Sequence, residues 1–212
     1  MTAPRTHDLL HLPDPARALA AMPDAPDWVA DALTAAPWVV VRRVAAPPGQ
    51  IPVGVRGATR AQHHADILPL AMIGTRVRPE ALAARADALP ENLPAARTLC
   101  QARPLLDATA LPWGPTGSVG FQLATGAPTA TQDSDLDLLI RIAEPIALLG
   151  ASPMLRDLHT ALLRLPACLD CLLETEQGAI ALGELASGAS HVLLRTGDGP
   201  CLVPVPHDAD SA

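Results

Sequence analysis

Two acidic residues at alternate positions give the clearest indication of a chemical site in this sequence. Residues 134–138 read Ser-Asp-Leu-Asp-Leu. Alternate side chains of a β-strand point to the same face, so Asp135 and Asp137 are predicted to share one face while the leucines enter a core. Neighbouring carboxylates repel each other unless a cation lies between them. Carboxylate oxygens suit Mg²⁺, which also binds substrate phosphates. The pattern predicts a metal and phosphate site; a half-exposed edge strand with hydrated carboxylates is the alternative.

Two further features of the sequence support a phosphate site. Gly117 and Ser118 precede the acidic strand, and such a turn can offer backbone N–H groups and a hydroxyl to a phosphate. A two-metal site needs a third carboxylate, usually from a neighbouring strand. Asp170 is the candidate because it lies between apolar residues in a second predicted strand. Glu174 falls on the same face of that strand and is the alternative third ligand.

Arginine supplies every positive side chain that could bind an anion, because the chain contains 15 basic residues and none is lysine. Arg42, Arg43, Arg56 and Arg60 are close together in the first half. Of these, Arg56 and Arg60 are the predicted substrate contacts, because the glycine after Arg56 allows close backbone approach. The alternative is that they are solvated surface residues. His7 and Asp8 predict a local cap, with a hydrogen-bonded pair that touches substrate as the alternative.

Hydrophobic patterning and turn residues divide the chain into two units. Prolines cluster at residues 90–94, which predicts a boundary between an N-terminal α+β domain at 1–89 and a second domain at 95–206. The elements predicted in the first domain are helices at 27–36, 58–68 and 79–89 and strands at 38–44 and 51–55. Those predicted in the second are helices at 95–106, 119–124 and 153–165, strands at 136–142, 168–175 and 179–182, and a hairpin formed by 191–195 and 201–205.

Composition excludes several classes of function. The 212 residues carry a formal net charge of −7, whereas proteins that wrap DNA or RNA usually have a basic surplus, so no polymeric nucleic acid is expected as partner. No apolar run approaches the roughly 20 residues that span a bilayer. The four cysteines are too scattered for a disulfide framework, and the first residues do not form a secretory signal. A cytoplasmic protein without membrane contact is expected.

Several segments together resemble a known family, malonate decarboxylase holo-[acyl-carrier-protein] synthase, also called phosphoribosyl-dephospho-CoA transferase. Its Gly-Ser and Asp-x-Asp pair is shared with the wider nucleotidyltransferase (polymerase beta-like) superfamily, and the string Trp-Gly-Pro-Thr-Gly-Ser-Val-Gly distinguishes the family. The gap from Ser118 to Asp135 exceeds the usual superfamily spacing and predicts an insertion near 125–132. The matching segments are residues 51–57, 112–121, 134–138 and 193–196, with others around Asp170, Glu174 and Gly178.

The resemblance implies a fold and a reaction. The fold would be α+β, with a small N-terminal domain followed by a nucleotidyltransferase domain that has a mixed sheet. The donor would be 2′-(5″-triphosphoribosyl)-3′-dephospho-CoA and the acceptor a serine of the apo acyl carrier subunit of malonate decarboxylase, with pyrophosphate released. Asp135, Asp137 and Asp170 would hold two Mg²⁺ ions, and Gly117 and Ser118 would hold the departing phosphates. The alternatives are a metal-dependent nucleotidyltransferase that adenylylates a protein or small molecule, and a non-catalytic binding module.

Overall fold

The first half of the chain forms a five-stranded antiparallel sheet with two helices on one face. The computed structural model describes residues 3–59 and 61–205. The sheet order is β4-β3-β2-β1-β5. In chain order, the elements of this half are β1 (Leu9–His11), α1 (Pro15–Ala20), α2 (Trp28–Ala35), β2 (Trp38–Val41), β3 (Gln50–Arg56), β4 (His63–Pro69) and β5 (Arg76–Val77).

Alternating apolar residues fix which face of this sheet is covered. Val39 and Val41 of β2 are buried, and so are Val53 and Val55 of β3; they share a core with residues of α1 and α2. Because strand side chains alternate, Val40 of β2 and Gly54 and Arg56 of β3 lie on the opposite face. That second face looks toward the other half of the molecule.

The second half of the chain forms a six-stranded mixed sheet. Its order is β11-β10-β9-β8-β7-β6, and the β7–β8 pair is parallel while its other pairs are antiparallel. Its elements are α3 (Pro94–Asp107), β6 (Trp113–Pro115), α4 (Gly117–Thr125), β7 (Leu136–Arg141), α5 (Ile146–Leu149), α6 (Pro153–Leu162), β8 (Leu169–Thr175), β9 (Gly178–Ala181), α7 (Leu182–Ala186), β10 (His191–Thr196) and β11 (Gly199–Pro204).

Helices cover one face of the mixed sheet and form the larger core with it. Leu136, Leu138 and Ile140 of β7 are almost fully buried there, as the alternation predicts. Helix α6 begins with a Ser152 hydroxyl that accepts from the Leu155 N–H and with a proline at its first position, both of which favour helix initiation. The parallel β7–β8 pair requires a crossover, and α5 and α6 supply it.

The α+β class and the mixed sheet are confirmed. The helices predicted at 27–36, 95–106, 119–124 and 153–165 form with shifted ends, and the predicted hairpin near the end of the chain is β10–β11. The short elements β1, α1, β5, β6, α5 and α7 were not predicted. Among the described residues, no helix is long and apolar enough to cross a membrane.

The helix predicted at 58–68 is wrong. The chain turns back after β3, and β4 pairs with β3 over seven residues, from Gln50 opposite Pro69 to Arg56 opposite His63. Pairing with an existing strand outweighs the weak helix preference of an alanine-containing segment. The segment predicted as a helix at 79–89 forms two 3₁₀ helices, Pro79–Ala81 and Ala83–Ala88. Leu82, Ala86 and Leu89 pack into the core of the second sheet. The domain limits at 89 and 95 stay a prediction.

Candidate active site

A cavity of about 840 Å³ lies between the two sheets. Its size falls within the range usual for small-molecule sites. The first sheet presents arginines and histidines to it, and the second sheet presents carboxylates and the start of helix α4. The lining includes Arg42, Arg56, His63 and His64 on one side and Gly117, Ser118, Asp135, Asp137 and Asp170 on the other. Opposite charges therefore face each other across the space.

The acidic wall is formed by two adjacent parallel strands. Asp137 of β7 is directly opposite Asp170 of β8 in the strand register, so the two residues are neighbours although 33 positions separate them. Asp135 precedes β7 and lines the same cavity. The three predicted carboxylates therefore face one space. Within the described part of the chain, no three His, Cys, Asp or Glu side chains are already gathered as a metal site.

The donor set on this wall nevertheless fits Mg²⁺. Its ligand atoms are carboxylate oxygens, which Mg²⁺ prefers, and the adjacent start of α4 leaves room for a further group. Asp137 and Asp170, held in register, would provide the fixed ligands, and Asp135 would provide a third. The full three-carboxylate arrangement and the two-ion count remain expectations.

Glu174, the alternative third ligand, has a different role. Both of its carboxylate oxygens accept hydrogen bonds from the two terminal nitrogens of Arg43, with Nη1 and Oε1 2.6 Å apart. Glu174 is buried and lies four residues beyond Asp170 on β8, about 13 Å along the strand. The geometry therefore favours Asp170, and it makes Arg43 a structural partner of the second sheet.

Gly117 allows the carboxylate of Asp137 to lie against the start of α4. A Cβ placed on Gly117 would be 1.8 Å from the Asp137 Oδ2, and the φ of Gly117 is +57°. The Thr116 N–H donates to the Asp137 carbonyl over 2.9 Å, which fixes the spacing between the loop and β7. Thr116 precedes the helix without a side-chain cap, so its hydroxyl does not satisfy the first N–H groups of α4. A negative charge is favoured at this end of a helix, and the Asp137 carboxylate lies there.

Ser118 and the residues after it extend the same wall. The Ser118 side chain is buried and lines the cavity. Its carbonyl accepts a hydrogen bond from the Thr129 hydroxyl over 2.8 Å, so the segment predicted as an insertion at 125–132 folds back onto α4. Thr129 and Thr131 also line the cavity. Sequence analysis missed these two threonines, since a loop of small residues carries no local signal of what it will contact.

The other arginines of the first-half cluster differ in where they lie. Arg56, at the end of β3, lines the cavity. Arg60 lies outside the described residues. Arg42, which sequence analysis placed in the cluster but did not favour, also lines the cavity, and its side chain lies across Gly54, where an added Cβ would be 3.4 Å from the Arg42 Cδ. Recognising β4 as a strand would also have placed His63 opposite Arg56.

Asp8 makes a local backbone contact, whereas His7 faces the active-site cavity. The Asp8 carboxylate accepts from the Arg5 N–H over 2.9 Å, while His7 has a positive φ of 71° and lines the cavity. Burial lowers the pKa of His7 to about 4, with the positive charges of Arg43 and Arg141 acting in the same direction against Glu174. His7 is therefore neutral at pH 7, so it presents a hydrogen-bonding ring rather than a charge.

Comparison with known proteins connects this site to one family. Residues 5–79 match the model of the phosphoribosyl-dephospho-CoA transferase MdcG N-terminal domain, and residues 81–206 match that of the C-terminal domain. A phosphoribosyl-dephospho-CoA transferase of Pseudomonas aeruginosa is 41% identical over 96% of this chain and 93% of its own length. Those of Pseudomonas putida and Azotobacter vinelandii are 42% and 43% identical, over 97% and 94% of this chain and 96% and 92% of their own lengths.

No solved structure matches the chain, so the nucleotidyltransferase fold stays a prediction. The family assignment rests on both halves of the chain, because the two family models together span the first sheet, the second sheet and the cavity between them. The chain belongs to the phosphoribosyl-dephospho-CoA transferase family.

Proposed function

We propose that this protein transfers phosphoribosyl-dephospho-CoA from 2′-(5″-triphosphoribosyl)-3′-dephospho-CoA to a serine of the apo acyl carrier subunit of malonate decarboxylase. The main supporting observation is the cavity in which Asp137 and Asp170, in register on parallel strands, face arginines of the other sheet. A metal-bound triphosphate needs carboxylates on one side for the metal and cations on the other for the phosphate oxygens. The identity of the transferred group in this proposal follows from the relatives, which are named phosphoribosyl-dephospho-CoA transferases.

The bond changes of the proposed reaction balance without an additional reactant. The serine oxygen bonds to the α-phosphorus of the triphosphate, the bond from that phosphorus to the bridging oxygen breaks, and pyrophosphate leaves. The product is a phosphodiester on the serine. Such transfers depend mainly on positioning and charge neutralisation, so no covalent protein nucleophile is required.

Each residue has a defined part in this proposal. Asp135, Asp137 and Asp170 would hold Mg²⁺, which supplies charge neutralisation to the triphosphate when bound. Asp170 receives the proton of the attacking serine. Ser118 and the N–H groups at the start of α4 hold the departing phosphates. Arg42 and Arg56 contact phosphate oxygens of the triphosphoribosyl substrate from the opposite wall. They orient that substrate because one guanidinium can donate two parallel hydrogen bonds to a phosphate.

The test is mass spectrometry of the apo carrier after incubation with the donor, Mg²⁺ and this protein. We expect one added phosphoribosyl-dephospho-CoA group and stoichiometric pyrophosphate. Asp137→Asn keeps the shape of the side chain and removes its charge, so we expect transfer to fall by about 100-fold or more, the scale seen when one electrostatic contact to a transition state is lost. Asp157→Asn on the exposed side of α6 is the control and should act as wild type.

Two results would refute the proposal. One is near-normal transfer by Asp137→Asn with an unchanged thermal midpoint. The other is carrier modification by labelled ATP in place of the triphosphoribosyl donor, which would identify an adenylyltransferase with the same carboxylates.

A further inference from the structure

A second cavity lies beside the active-site cavity and has no role in the chemistry described above. Its volume is about 830 Å³. It is lined by the other ends of the same strands: Val41 of β2, Gln50 and Pro52 of β3, and Glu174 and Thr175 of β8. Among the described residues, Arg42 is the one that lines both cavities. The two spaces are therefore successive parts of the region between the sheets.

The separation of the two cavities is set by the strands that they share. On β8, Asp170 lines the active-site cavity and Glu174 lines the second one. Four residues of a strand span about 13 Å. A ligand that reaches both cavities must therefore be long, and it must pass Arg42 on the way.

The lining of the second cavity combines aliphatic side chains with charged and hydrogen-bonding groups. Val44 and Leu70 lie at its edge and remain 42% and 40% exposed. Exposed aliphatic side chains beside a cavity are typical of a surface that a ligand covers. Gln50 and Thr175 add amide and hydroxyl groups. The other apolar residues of the lining include Leu111, Pro112 and Ile142.

The charges of the second cavity are mixed. Glu144, Glu174 and Glu176 line it together with Arg5 and Arg141, but Glu174 is paired with Arg43 and Arg141 is paired with Asp8 and Glu80. The two other carboxylates, on Glu144 and Glu176, face the single guanidinium of Arg5, so an uncharged chain meets less repulsion there than a polyphosphate. The positive charge at the boundary, on Arg42, is suited to a phosphate group that lies between the two cavities.

We infer that the second cavity binds the pantetheine arm of the dephospho-CoA part of the donor, an assignment that rests on the proposed function. Dephospho-CoA is a pantetheine chain joined to adenosine through a diphosphate. The chain is long, uncharged and mainly aliphatic, and its two amides need hydrogen-bonding partners. With the triphosphate at Asp137 and Asp170, the arm extends past Arg42, which contacts the diphosphate, into the second cavity at the other end of the strands.

The binding of two probes, 3′-dephospho-CoA and ADP, tests the assignment. ADP has the adenosine and diphosphate of 3′-dephospho-CoA without the arm, so titration calorimetry with each probe isolates the contribution of the arm. We expect wild type to bind dephospho-CoA at least about tenfold tighter than ADP. Ala46→Trp fills the second cavity from the loop between β2 and β3 and should remove that advantage while the ADP affinity is unchanged.

The neighbouring substitution Ala45→Trp is the matched control, because Ala45 is exposed and does not line the cavity. It should keep the full preference for dephospho-CoA. Leu70→Gln at the edge of the cavity is a second variant, used if Ala46→Trp lowers the thermal midpoint relative to Ala45→Trp. Equal affinity of wild type for the two probes would overturn the assignment, and so would an unchanged preference in a folded cavity variant.

The outcomes also separate this inference from the proposed reaction. Loss of the dephospho-CoA preference in Ala46→Trp, with no carrier modification by wild type, supports the arm site and refutes the reaction. Carrier modification by wild type, together with an unchanged KM for the donor in Ala46→Trp, supports the reaction and refutes the arm site.

Discussion

At the scale of single residues, the candidate site depends on the carboxylate of Asp137 lying directly against Gly117. The carboxylate occupies the position that a side chain on Gly117 would take. Glycine serves two purposes there, because it accepts a positive φ and leaves the space for the acid. Asp137 is in turn next to Asp170 through the β7–β8 register. The geometry of one backbone position thus determines whether the start of α4 and the acidic wall lie side by side.

Gly117→Ala tests this contact. The added methyl would be 1.8 Å from the Asp137 Oδ2, so either the carboxylate or the start of α4 must move, and we expect carrier modification to fall by about 100-fold or more. Gly126→Ala is the control, because Gly126 also has a positive φ, 77°, and has no neighbour within 4 Å of an added Cβ. Both variants should lose about 1 kcal/mol of unfolding free energy from backbone strain. Equal loss of transfer in the two variants would contradict the role of the contact.

At the scale of elements, the site depends on where β8 begins. The Ala167 N–H, two residues before β8, donates to the hydroxyl of Thr98 over 3.1 Å. Thr98 is fully buried in helix α3, so α3 fixes the start of the strand that carries Asp170. Parallel pairing with β7 then brings Asp170 beside Asp137. A helix on the far face of the sheet thereby contributes to the position of an acid on the near face.

Thr98→Val is expected to lower the free energy of unfolding by about 0.5–1.5 kcal/mol, because it keeps the shape and removes the acceptor of the partly buried Ala167 N–H. Thr98→Ser keeps the hydroxyl and serves as the control. Hydrogen exchange gives the decisive measurement: the Ala167 amide should lose protection in the valine variant and retain it in the serine variant. Equal protection of that amide in both variants would show that Thr98 does not hold the start of β8.

At the scale of the whole molecule, buried ion pairs connect the two sheets across the region that contains both cavities. Arg43, which follows β2, pairs with Glu174 of β8. Arg141 of β7 contacts Glu80 at 2.5 Å and Asp8 at 3.4 Å, and burial raises the pKa of the Asp8 carboxyl against the lowering effect of the Arg5 N–H and of Arg141 and Arg76. These contacts hold together two sheets whose facing surfaces are otherwise lined by open cavities.

Removing one partner of the Arg43–Glu174 pair should be costly, because it leaves a buried charge without compensation. We expect Arg43→Met to lower the free energy of unfolding by about 3 kcal/mol, and the double variant with Glu174→Leu to recover most of that loss. Arg103→Met is the control: Arg103 contacts Asp87 at 3.8 Å on the exposed surface, where a pair contributes at most about 1 kcal/mol. Urea unfolding of the four proteins measures all of these values. Equal losses in Arg43→Met and Arg103→Met would exclude a stabilising role for the buried pair.

The local parts of the site could be predicted from the sequence, because short-range rules determine them. The alternation around Asp135 and Asp137 predicted a strand with a buried leucine face, and the core contains those leucines. The short helix predicted at 119–124, directly after the Gly-Ser turn, forms as α4 with its start at Gly117. The Asp170 strand was predicted from the same kind of pattern.

The tertiary structure decided the features that depend on residues far apart in the chain. Local patterns favoured Asp170 and left Glu174 open as the alternative, and the pairing of Glu174 with Arg43, 131 positions away, separates them. Residues 63–69 form a strand because β3 is there to receive it, although their composition favoured a helix. Arg42 and His7 reach the cavity through the packing of one sheet against the other. Strand pairing and packing between sheets depend on contacts over long sequence separations, which alternation and turn residues do not encode.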